Sequence, residues 1–163
     1  MLDPQSPEPT LDPRLGTLAP GAHAMPVPLT RPYRPHPEAM STPSDPEAER
    51  LLRLFYDHLV GLGHEVGRWE VVTPHTRRPL AVDLLDLTAR RLIVGRGNAH
   101  RPAVQEAIGE LLDISDLFND TFDRFLLLPC APDSDLSPLL QRLRITTIWP
   151  ELAGFRDGTG ALG

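Results

Sequence analysis

Lysine is absent from this chain. All sixteen basic residues are arginine, so any mechanism that needs a lysine is excluded. A codon bias towards Ala, Gly, Pro and Arg accounts for the replacement without invoking function. Cysteine occurs once, as Cys130, which rules out an intramolecular disulfide framework and a cysteine-rich zinc site. That cysteine sits where a strand ends, in Leu-Leu-Leu-Pro-Cys, and reads as either an inert or a reactive thiol. No apolar run approaches the roughly 20 residues of a membrane span. No basic segment followed by an apolar stretch opens the sequence. A cytoplasmic protein without membrane contact is therefore expected. The formal charge of −6 argues against a general nucleic-acid or membrane binder. The six histidines are scattered without metal-ligand spacing, Gly95-Arg96-Gly97-Asn98 lacks the dinucleotide-binding pattern, and no Ser-His-Asp arrangement can be inferred.

Proline is what the chain has in excess, and its distribution is uneven. Twelve of the nineteen prolines fall within Met1–Pro46. Proline supplies no amide donor, and few large apolar groups are available there to offset ordering entropy. Residues 1–43 are therefore expected to form a disordered tail. Two readings of it stand: a polyproline ligand around Pro26-Val27-Pro28 or Pro32-Tyr33-Arg34-Pro35, or a translation start that lies at Met25 or Met40. One α/β domain is expected over residues 44–157, followed by a flexible carboxy terminus at 158–163.

Order is predicted to begin at a capping box, with Ser44 accepting from first-turn amides and Glu47 reaching back. Pro46 suits a first turn. Leu51, Leu52, Phe55, Leu59 and Leu62 follow near helical spacing, and Gly61 and Gly63 end the helix. Strands are predicted at Glu65–Thr73, Leu80–Leu87 and Arg91–Arg96, the last two joined as a hairpin. A second helix runs from Pro102 to about Phe118, a fourth strand over Arg124–Leu128, a third helix over about Ser134–Leu143, and a fifth strand over Ile145–Trp149. Pro150–Gly163 reads as a surface extension and frayed end. The predicted order is αβββαβαβ.

The hairpin carries the chemistry. A two-residue loop at Thr88-Ala89 pairs Leu87 with Arg90 and sets Asp83 opposite Val94. With period-two alternation, Asp83, Val94 and Arg96 share a face and Asp86 points to the other. A one-residue slip would reverse the assignment. An aspartate between Ala81-Val82 and Leu84-Leu85 needs a partner or a purpose, because burial threatens its charge. A diagonal pair with Arg96 is one answer; a metal ligand or catalytic acid is the other.

Here the chain resembles the PD-(D/E)-x-K nucleases, the restriction-endonuclease-like superfamily. Members of that family read roughly D-L-Y-D, then L-V-E-A-K, then A-I-G-Q-L-L-D-Y, then a strand ending I-W. The present chain has Asp83-Leu84-Leu85-Asp86, Leu92-Ile93-Val94-Gly95-Arg96, Ala107-Ile108-Gly109-Glu110-Leu111-Leu112-Asp113-Ile114 and Thr147-Ile148-Trp149. The resemblance covers about Glu47–Asp157, and its helix motif is the most specific part. It implies an αβββαβ core, a mixed central sheet flanked by helices, with an added helix and strand. It further implies that Asp83 stands at the metal-binding aspartate position, Val94 at the second carboxylate and Arg96 at the lysine. Glu110 replaces a glutamine and Ile114 a tyrosine.

Those replacements are unfavourable for hydrolysis. Valine cannot ligate a hard cation, and arginine stays protonated, so it cannot act as a general base. The expected function is therefore a nuclease-fold domain without catalysis and without a cofactor, binding nucleic acid, DNA or RNA, or a protein partner. In an alternative, carboxylates from the helix replace the lost ligand. Asp83, Glu106 and Glu110 would then hold Mg2+ in a metal-dependent phosphodiesterase, with Arg96 stabilising charge on phosphate. A solvated acidic helix face is the simpler explanation of Glu106, Glu110 and Asp113. A third alternative is a protein-interaction subunit with no nucleic-acid contact. Arg77, Arg78, Arg90, Arg91, Arg96 and Arg101 face only Asp83 and Asp86 within their segment, a local +4 on a chain of −6. Such an edge can track phosphates, or its arginines can simply be solvated.

Overall fold

The computed structural model describes residues 12–27, 45–75, 79–119 and 121–158. Its centre is a seven-stranded mixed sheet whose strands lie side by side in chain order. The strands are β1 (His23–Val27), β2 (Val66–Val72), β3 (Leu80–Asp86), β4 (Arg91–Gly95), β5 (Asp123–Leu127), β6 (Ile145–Glu151) and β7 (Gly154–Asp157). The first four form an antiparallel meander; β4, β5 and β6 are parallel; β7 returns antiparallel. The helices are α1 (Pro46–Gly61), α2 (Arg101–Leu117) and α3 (Ser137–Arg142). From α1 to β6 the order is the αβββαβαβ expected from the sequence.

Parallel neighbours need crossovers, and α2 and α3 supply them. Both advance the same way along the sheet, so connections of one hand put both helices on one face. Val104, Leu111, Ile114 and Leu140 of these helices share a core with Leu85, Leu92, Val94 and Leu126. On the opposite face α1 lays Leu51, Leu52, Phe55 and Leu59 over Leu84, Ile93, Leu127 and Ile148. A strand buried on both faces reads as a continuous apolar run, which is why Leu92-Ile93-Val94 lacks polar alternation. Gly95 ends that run for a steric reason. A Cβ there would lie 2.8 Å from Leu52 Cγ, so α1 rests on bare backbone.

The sheet is larger than the sequence predicts, and both extra strands are at its edges. The expected tail over residues 1–43 is wrong for its middle part. Asp12 caps a short 3-10 turn at Pro13–Leu15, Leu15, Leu18 and Ala22 enter the α2-side core, and β1 pairs with β2 from His23↔Val72 to Val27↔Arg68. Proline density hides this arm because proline is tolerated at the first position of a turn and in an edge strand, which is where Pro13 and Pro26 stand. At the far edge, β6 continues through Glu151 and turns at Leu152-Ala153 into β7. The frayed extension expected from Pro150 therefore begins no earlier than Gly158. The cap of α1 also differs. Asp45 accepts from the Ala48 amide at 3.0 Å, and Glu47 pairs with Arg50 at 2.6 Å instead of reaching back. Ser44 lies outside the described residues.

Candidate functional site

The hairpin register agrees with the alternation argument. Asp86 faces Arg91, Leu85 faces Leu92 and Leu84 faces Ile93, and this spacing continued by one step sets Asp83 beside Val94. What the sequence does not reveal is a bulge on the other side of β3. Gly67 pairs with Leu85 but Trp69 with Val82, so Asp83 and Leu84 together oppose Arg68. A bulge bends its strand and re-aims a side chain. Here it brings the Asp83 carbonyl to Arg68 Nε, which donates at 3.2 Å.

Asp83 is partly buried, and its Oδ2 accepts the Gly95 amide at 2.9 Å. Burial drives its carboxyl up to about 7, and the nearby charge of Glu110 pushes the same way. The Gly95 amide, Arg68 and Arg96 oppose that rise without cancelling it.

Arg96 does not pair with Asp83, contrary to the expected diagonal. Its Nη2 closes on Glu110 of α2, lies 3.9 Å from Glu106, and its Nη1 donates to the Gly95 carbonyl at 2.8 Å. Burial works against the Arg96 charge, yet Glu110, Asp83 and Glu106 outweigh it and raise the pKa further. The helix supplies this partner because α2 crosses the sheet face just beyond β4, and Glu106 and Glu110 are one turn apart on it. Val94, where the resemblance led to the expectation of a second carboxylate position, has no exposed surface and belongs to the α2-side core.

Two polar residues important to this region are missed by the sequence reading. Arg68 is 7% exposed; its Nη2 meets Glu49 of α1 at 2.7 Å. The signal was an arginine inside an apolar strand, just before Trp69. Asp45 joins the same end of the sheet, for its second oxygen accepts the Gly97 amide at 2.8 Å while the first caps α1. At the opposite end Asp86 is wholly buried, with His64 Nδ1 at 2.8 Å, the Ala89 amide at 2.9 Å and Arg91 at 3.8 Å. That set ties the hairpin turn to the end of α1.

Comparison of the chain with protein-family models, curated proteins and solved structures gives no significant match. The site's chemistry is therefore argued from its own geometry. Among the described residues, no three of His, Cys, Asp and Glu converge in a way that could hold a metal ion. The residues do not fit a divalent cation at the Asp83 end, because the carboxylates of Glu106 and Glu110 are already turned on a guanidinium. The crevice beside Asp83, lined by Val27, Glu49, Arg68, Trp69 and Ala81, is only about 40 Å³, far below the roughly 300 Å³ of a small-molecule pocket.

The arginine segment does not form one edge. Arg90 precedes β4 and Arg91 opens it, whereas Arg96 and Arg101 follow it, about 13 Å further along at ~3.3 Å per residue. Each is engaged within the fold. Arg90 donates to the Arg14 carbonyl and lies 3.9 Å over the Phe122 ring; Arg91 lies 5.2 Å over Phe125; Arg101 pairs with Asp135. Arg77 and Arg78 are outside the described residues. Among the described residues no helix is long and apolar enough to cross a membrane.

Proposed function

We propose that this chain is a domain of the restriction-endonuclease-like kind that no longer hydrolyses phosphodiesters and acts as a partner-binding module. The carrying observation is the Arg96–Glu110 ion pair. The guanidinium at the lysine position is spent on a helix carboxylate, and the neighbouring Asp83 is raised towards neutrality. Phosphodiester hydrolysis needs carboxylates converging on an ion and a free group to stabilise developing charge; neither remains. The run of elements from α1 to β6 and the motif residues on β3, β4 and α2 support the scaffold assignment. The partner is a protein more readily than a nucleic acid, because the described arginines of the 77–101 segment do not line one edge and each already has a partner in the chain, Arg101 through an exposed ion pair with Asp135. The test is cleavage of supercoiled DNA, single-stranded DNA and RNA with Mg2+ or Mn2+, together with binding across a salt series. Neither cleavage nor salt-steep binding is expected. Tight binding that weakens steeply with salt would return the partner to nucleic acid.

A second reading has one observation in its favour. Glu106 and Glu110 both face Arg96, and Asp83 acts on it through its charge; these are the three carboxylates that a phosphodiesterase with a migrated carboxylate would use. It would require Glu110 to leave Arg96, since the carboxylates as placed do not form a metal site. Cleavage that depends on metal and disappears in both Asp83→Ala and Glu110→Ala would establish it.

A further inference from the structure

The crevice beside Asp83 is too small for a cofactor, but the end of one side chain would fill it. Its volume of about 40 Å³ is room for roughly three water-sized groups. Val27, Trp69 and Ala81 give it apolar walls, and Glu49, Arg68, Glu70 and Asp83 supply its charged groups.

Those charged groups are out of balance. Among the described residues Arg68 is the one cation lining the crevice, and it is already committed. Its Nη2 meets Glu49 at 2.7 Å and its Nε donates to the Asp83 carbonyl at 3.2 Å. Asp83 gives Oδ2 to the Gly95 amide, and its other oxygen has no donor among the described residues. The Glu70 carboxylate has no ion-pair or hydrogen-bond partner among them either. Two carboxylates thus line one crevice with acceptor oxygens to spare. The raised carboxyl of Asp83 reflects the same shortage, since Arg68 and Arg96 do not offset its burial.

The chemistry of the missing donor follows from the shape. An ammonium carries a full charge and three donors on a compact head, whereas a guanidinium is a broad planar fork. The stem of a lysine lies along apolar surface while its head meets charge. Val27, Trp69 and Ala81 offer that surface. Met25, which is 48% exposed and the register partner of Glu70, extends it. The chain has no lysine of its own, and its net charge of −6 draws basic partners.

We propose that the crevice over β1, β2 and β3 receives a lysine side chain of a protein partner, with the ammonium between Glu70 and Asp83 and the stem against Val27 and Ala81. This names one contact of the partner-binding module and rests on that reading.

The test is NMR titration of the isotope-labelled full chain at pH 8. The probes are N-acetyl-lysine N-methylamide, the same compound acetylated on Nζ, and the corresponding arginine compound. The lysine compound should shift the Glu70, Ala81 and Gly95 amides and the Trp69 indole saturably. The arginine compound should bind several-fold more weakly, and the uncharged acetylated one should leave those signals in place. Glu70→Gln should weaken the lysine compound several-fold. Ala81→Leu, which fills the crevice, should abolish the shifts; should it unfold the chain, Glu70→Gln decides alone. Asp116→Asn, on the exposed side of α2, should change nothing. Equal weakening by Asp116→Asn and Glu70→Gln would mean that an acidic protein merely attracts a cation, and would overturn the proposal. So would equal binding of the lysine and arginine compounds, or no shift at these residues. None of those results touches the module reading, which stands or falls on cleavage and salt-dependent binding of nucleic acid.

Discussion

Arg96 closes on Glu110 rather than on Asp83, although the charges of all three act on one another at one end of the sheet. Arg96 is 15% and Glu110 33% exposed, so water screens the pair only in part. Glu110→Ala leaves a largely buried guanidinium with the Gly95 carbonyl and, for its charge, only Asp83 and the more distant Glu106. A loss of about 1–2 kcal/mol is expected in urea unfolding, between the values for exposed and for buried pairs. Arg96→Leu should cost less than Glu110→Ala, since it removes the charge that is harder to leave unpartnered. A larger loss for Arg96→Leu would mean that its aliphatic packing matters more than its charge.

Installing the residues of the proposed nuclease pattern should fail through folding before chemistry is reached. Val94 has no exposed surface and touches the α2-side core. Val94→Glu puts a carboxylate where nothing is arranged to receive it, beside an aspartate already short of donors. Such unpaired burial costs several kcal/mol. Thermal melting of Val94→Glu with Arg96→Lys should show a strongly lowered or non-cooperative transition. A stable double variant with metal-dependent cleavage would show that the site retains room for a ligand.

Asp83 sets a pH dependence of defined sign. Its folded pKa is raised from 3.8 to about 7, so the folded state holds a proton that the unfolded chain releases. The stability this contributes is complete below about pH 4 and is lost as pH rises through about 7. Asp83→Asn keeps an acceptor for the Gly95 amide and carries no charge. It should match the parent near pH 4 and exceed it by a few kcal/mol at pH 8, measured by urea unfolding at each pH. This reverses the loss that a buried Asp83–Arg96 pair would imply. A variant less stable than the parent at pH 8 would place Asp83 in a charge-stabilising contact after all.

These cases show where the sequence was legible. The Thr88-Ala89 turn fixes the hairpin register through period-two geometry, so the neighbourhood of Asp83 and Val94 could be read directly. Helices α1 and α2 were legible because their apolar residues recur at helical spacing. The bulge opposite Arg68 was not, because a register shift between β2 and β3 depends on strands separated by a variable loop. The Glu110 partner of Arg96 was not, because it depends on how α2 lies across the sheet. The arm was missed because its anchors, Leu15, Leu18 and Ala22, are few and spaced without period among prolines. Arg90, Arg91 and Arg101 looked like one basic edge only while their chain neighbours stood in for their spatial ones.

The arm makes a prediction about stability. Leu15 is almost wholly buried against the α2-side core, so Leu15→Ala should cost about 2–4 kcal/mol. A chain begun at Met40 lacks Leu15, Leu18, Ala22 and all of β1, leaving β2 with an unpaired edge. It should melt at a lower temperature than the full chain and aggregate more readily through that edge. Equal melting of the two would show that the arm adds nothing to the body.

The last prediction concerns Gly97, where two elements far apart in the chain are locked by one carboxylate. Asp45 caps α1 with one oxygen and takes the Gly97 amide with the other. A Cβ on Gly97 would fall 2.1 Å from Asp45 Oδ1 and 2.8 Å from both Cγ and Oδ2. That is too close for any real contact, and the carboxylate is held at both ends, so it cannot swing aside without losing a bond. Gly97→Ala must therefore either uncap α1 or pull the loop after β4 away from it. Loss of a cap alone costs about 1 kcal/mol, and displacing the loop that carries Arg96 adds strain, typically 1–3 kcal/mol. Asp45→Ala removes the same cap and the same obstacle. In a double-mutant cycle the two changes should be clearly sub-additive, with Gly97→Ala nearly neutral once Asp45 is gone. Additive losses would mean that glycine is needed at 97 for its backbone freedom rather than for the space Asp45 occupies.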